Sequence, residues 1–69
     1  MTVDLIVKKV KAEKDVSNSF GDFKLYSFIM FLIDNPIKTR RILIDYFGFT
    51  KTRATRVASR YNHYQRTKA

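Results

Sequence analysis

NPIKTRRILIDYFGFTKTRATRVASRYNHY, residues 35–64, decides how this chain folds. Asn35 suits an N-cap, and Pro36 suits the first helical position, where a missing N–H is not needed. A helix of about three turns is predicted over 37–47, with Ile37, Leu43, Ile44 and Phe47 available for a core. Gly48 suits the left-handed position that closes a helix, and Thr50 suits the N-cap of the next one. Only Phe49 separates those caps, so the two helices are expected to cross steeply rather than lie antiparallel. The last helix is predicted over 51–64, where Ala54, Val57, Ala58 and Tyr61 fall at i, i+3, i+4 and i+7 as a buried stripe. Its other side carries Thr52, Thr55, Arg56, Ser59 and His63, flanked by Arg53 and Arg60. Residues 65–69 read as a short frayed tail with no room for a C-terminal wing.

Toward the N-terminus, residues 20–33 are apolar nearly all round, which predicts a helix buried on several sides: a central scaffold, or one partly covered by a second protomer. Ser17-Asn18-Ser19 marks a break before it, and Ser19 with Asp22 resembles a capping box with Asp in place of Glu. Residues 2–15 fit two patterns. Val3, Ile6, Val7 and Val10 make a helical stripe, whereas Val3, Leu5 and Val7 alternate as in a strand. The Lys, Ala and Glu neighbours favour helix. Either way the segment is a support or dimerisation element. The expected fold is all-α, three or four helices in one small domain spanning 1–69.

A chain of 69 residues buries only roughly 60% of its unfolded surface. With no Cys and one His there is no disulfide framework, and no zinc cage is expected. The longest apolar run, 25–33, is far shorter than the ~20 residues that span a membrane. No signal peptide is visible, so a cytoplasmic, nucleoid-associated protein is expected. Net charge is +8, and its placement is uneven. In 1–35, Lys8, Lys9, Lys11, Lys14 and Lys24 balance Asp4, Glu13, Asp15, Asp22 and Asp34. In 36–69, Lys38, Arg40, Arg41, Lys51, Arg53, Arg56, Arg60, Arg66 and Lys68 face Asp45 alone. Charge kept only for solubility would be spread over both halves; a segregated basic half is the footprint of a polyanion binder.

Gly48 is preceded by apolar Phe47 and Leu43, one and five positions back, and followed by Phe49, Ala54 and Val57, one, six and nine positions on. With the run FGFTKTRATRVAS, this framing makes the segment 40–59 resemble the helix-turn-helix of small bacterial and phage transcriptional regulators. Ile44 departs from that pattern, since the family prefers Ala or Gly four residues before the turn glycine. A side chain of that size is expected to open the angle between the helices. The resemblance implies double-stranded DNA as partner and regulation of transcription as function; the many large apolar groups of 20–33, with few residues to cover them, predict a homodimer.

Helical geometry points Thr52, Arg56, Ser59 and His63 away from the buried stripe, as candidates for base contact. Lys38, Thr39, Arg40, Arg41, Thr50, Lys51, Arg53 and Arg60 sit at helix starts or flanks, where phosphate contact is expected. Tyr61 belongs to the core by its position, while Tyr64 is open to a stacking role. No nucleophile, base and oxyanion set is present and no Gly-rich phosphate loop, so neither catalysis nor a cofactor is expected. The rival reading is a protein-interaction module, such as a phage-type inhibitor or co-repressor, whose basic face engages an acidic surface of another nucleic-acid-handling protein.

Overall fold

The computed structural model describes residues 2–16 and 20–68 and is all-helical there. Its elements are α1 (Val3–Val16), α2 (Asp22–Ile33), α3 (Pro36–Phe47) and α4 (Lys51–Lys68).

α1 resolves the ambiguity of the N-terminal segment. Ile6, Val7 and Val10 are buried while Leu5 is 55% exposed, so the apolar residues follow the helical period and not the alternation. The Thr2 hydroxyl lies 3.4 Å from the Leu5 N–H, which it caps. The break at 17–19 and the Ser19 cap lie outside the described residues. The observed N-cap of α2 is Gly21, in extended backbone and without a side-chain cap bond, so this helix starts at Asp22 and not Phe20.

α2 and α3 each pack against all three other helices, whereas α1 and α4 do not pair. α2 buries Leu25, Tyr26 and Ile29 and closes on Asp34, a left-handed residue (φ 48°) whose N–H donates to Met30 O at 2.7 Å. Asp tolerates that conformation better than most side chains. The expectation of burial on several sides holds for this face and its flanks; Phe31, on the remaining face, is 86% exposed.

α3 starts as its sequence indicates. Asn35 Oδ1 accepts the Lys38 N–H at 3.0 Å, and Pro36 follows at the first helical position. Its core side differs from expectation: Ile42 and Leu43 are buried, while Ile37 is 67% exposed. Ile37, in the first turn, only borders the depression toward α4, and Ile42, next to Leu43, takes the inward position. Gly48 is left-handed (φ 71°), and the Phe49 N–H donates to Leu43 O at 3.0 Å. Three residues join α3 to α4, and Phe49 among them is buried. Thr50 Oγ1 then accepts the Arg53 N–H at 3.1 Å, capping α4.

α4 buries Ala54, Val57 and Ala58, with Tyr61 half-buried at the end of the stripe. Residues 65–68 continue the helix instead of fraying, with Thr67 Oγ1 donating to Tyr64 O at 3.0 Å. Gln and Arg are good helix formers, which explains the extension. Ile44 is accommodated from the other side. It is half-buried and shares a depression with Ala54 and Thr55, so the small residue sits on α4 where the pattern places it on α3.

Candidate nucleic-acid interface

The Thr50 cap and the buried stripe fix the rotation of α4 about its axis. That rotation sends Lys51, Thr52, Thr55, Arg56 and Ser59 into solvent along one shallow groove. A second depression, between α3 and α4, is lined by Arg40, Arg41 and Lys51, with Ile37, Ile44, Ala54 and Thr55 as its floor and walls. Lys51 and Thr55 belong to both, so the basic surface runs unbroken from α3 onto α4.

Of the four candidates for base contact, Thr52, Arg56 and Ser59 are brought together in the first groove. His63 is also exposed but lies in a third concavity with Phe23, Arg60, Tyr64, Arg66 and Thr67, meeting the others only through Ser59. Its position one turn further along a straight helix accounts for that. Thr55 was not among the candidates and lines both grooves; its place three residues after Thr52 and four before Ser59 is the signal that marks it.

Among the phosphate candidates, Arg40, Arg41 and Lys51 share the α3–α4 depression. Lys38 points elsewhere, bordering a hollow with Ile6, Leu32, Ile33 and Asn35. Thr39 is corrected: its side chain is 0% exposed and its hydroxyl donates to Asn35 O at 2.7 Å. A buried group with a satisfied hydroxyl does not reach a phosphate; the i−4 carbonyl gives this Thr a partner inside its own helix. Thr50 keeps its place at the helix start, its oxygen committed to the cap.

Arg53 is engaged in a way its sequence position does not reveal. Its Nε donates to Asp22 Oδ2 at 2.8 Å and its Nη2 to Asp22 Oδ1 at 2.7 Å. Its guanidinium carbon lies 4.0 Å from the centre of the Phe49 ring. The hydrogen bonds from Arg53 hold the Asp22 carboxyl below its ordinary range against a smaller opposing effect of burial, and the charges of Arg53, Arg60 and Lys14 add to the lowering. Asp22, Arg53, Arg56, Val57 and Arg60 together line a narrow cleft between α2 and α4. Arg60 also lies 6.0 Å from the Phe23 ring, at the limit of a cation–π contact.

Among the described residues, no group of three or more His, Cys, Asp or Glu side chains is placed to hold a metal ion. No described helix is long and apolar enough to cross a membrane. No protein-family model matches the chain, and no curated protein or solved structure is detectably similar to it.

Proposed function

We propose that this chain binds double-stranded DNA sequence-specifically, as a small transcriptional regulator of the helix-turn-helix kind, with α4 entering the major groove and α3 crossing the backbone. The observation that carries the reading is the continuity of the two grooves. Short hydrogen-bonding groups and Arg56 occupy the outer face of α4, and Arg40, Arg41 and Lys51 extend that face onto α3. The first set matches the chemistry of base edges and the second that of phosphates. A +8 net charge provides the sequence-independent part of the affinity. Phe31, exposed one turn from the half-buried Phe28 on α2, supplies apolar surface for a second copy, and supports a homodimer.

Selection of bound duplexes from a random pool tests the reading directly. A two-fold symmetric consensus is expected, and Arg56→Ala should weaken binding to it by ~1–3 kcal/mol at fixed salt. Equal binding by Arg56→Ala and the parent rules out this docking of α4.

A further inference from the structure

Arg53 sits in the first turn of α4, beside the proposed interface, yet its surroundings differ from those of a flexible phosphate contact. A guanidinium carries five N–H donors arranged on a rigid plane. Asp22 takes the Nε–Nη2 edge through two bonds of 2.8 and 2.7 Å, and Phe49 packs against the face at 4.0 Å. Those contacts fix both the plane and its rotation. One edge with two parallel donors is left, formed by Nη1 and Nη2, and the side chain remains 53% exposed.

The charge of the unit matters as much as its geometry. Asp22 cancels the formal charge of Arg53, so the pair offers two oriented donors but no net positive charge. A phosphate gains little from such a group and meets the Asp22 carboxylate close behind it. A neutral ligand edge with two acceptors at matching spacing loses nothing. In a DNA groove that edge is O6 and N7 of guanine.

We propose that Asp22 is a positioning residue that makes Arg53 a fixed fork for the O6/N7 edge of one guanine in the bound duplex. The proposal rests on the DNA-binding reading above and adds a contact from outside the two grooves, set by a residue on a different helix. It assigns Arg53 to base recognition instead of the phosphate contact its place at the helix flank suggests.

The test compares the full chain with Asp22→Ala and Arg53→Lys by duplex selection and by titration at several salt concentrations. Circular dichroism checks that each variant is folded; Arg53→Lys keeps the cation on an exposed site if Asp22→Ala is unstable. The expected result is one guanine position that is fixed for the parent and degenerate for both variants, with ~10-fold less discrimination there. Replacing that guanine by 7-deazaguanine, which lacks the N7 acceptor, should weaken the parent more than Arg53→Lys, whose ammonium lacks the rigid fork. Asp22→Ala should also steepen the salt dependence of log K by ~0.9, because a freed Arg53 can neutralise a phosphate. Unchanged guanine preference in both variants overturns the proposal, as does a uniform loss of affinity across all sequences. If the parent selects no consensus at all, the DNA-binding reading itself fails and takes the proposal with it.

Discussion

The rings of Tyr26 and Tyr61 pack 5.1 Å apart, joining α2 to α4, yet the Tyr26 hydroxyl has no hydrogen-bond partner among the described residues. The side chain is fully buried, and burial raises its pKa, offset in part by the charge of Arg40. A buried unpaired hydroxyl costs more than it returns, while the ring contributes apolar burial and the contact with Tyr61. Tyr26→Phe is therefore expected to raise stability by about 1 kcal/mol in denaturant unfolding. Tyr26→Ala, which removes the ring, should cost about 3–5 kcal/mol. A Phe variant less stable than the parent would show that the hydroxyl is satisfied.

The Asp22–Arg53 pair makes part of the stability depend on acid. Asp22 has a lower pKa folded than unfolded, chiefly through the hydrogen bonds from Arg53. Its contribution is fully present above the unfolded value, near 4, and is lost as pH falls through the folded value. Both groups are substantially exposed, so the effect is small and screened by salt. Thermal melts of Asp22→Asn should converge with those of the parent as pH drops below that range, and differ above it. Parallel curves at every pH would mean that the pair does not couple to folding.

Two glycines are expected to respond in opposite directions. Gly48 is left-handed (φ 71°) and a Cβ there meets nothing within 4 Å, so Gly48→Ala carries only the conformational cost, about 1–2 kcal/mol. Gly21 is the extended N-cap of α2, has equal space around it, and makes no side-chain cap bond. Gly21→Ser should add a cap to the first turn of α2 and restrict the unfolded chain, for a gain of about 0.5–1 kcal/mol. Urea midpoints of the two variants, falling on either side of the parent, check both.

The parts of this architecture readable from sequence are those set by neighbours in the chain. Asn35–Pro36, Gly48 and Thr50 act on groups three to six residues away, and each cap forms where it was expected. The Ala54/Val57/Ala58 stripe follows from period alone and fixes which side of α4 faces out. Where several apolar residues compete for few inward positions, period does not decide. Ile37 and Ile42 both suit the core of α3, and only the placement of the surrounding helices selects Ile42. Thr39 reads as an exposed polar group until the helices around it are in place. The Asp22–Arg53 contact spans 31 residues and joins two helices whose relative position no local pattern specifies. The grooves were thus legible as a face, but the fixed guanidinium at their edge was not.

α1 touches α2 and α3 but not α4, so it supports the α4 part of the basic surface only at second hand. Among its described side chains, Ile6, Val7 and Val10 are the buried ones that hold it to the rest of the molecule. A segment attached so lightly can detach while α3 and α4 stay together, through an opening smaller than global unfolding. Amide hydrogens of α1 should then exchange with solvent ahead of those around Leu43 and Val57. The one helix that does not pack on α4 would thus be a separately yielding part of the fold.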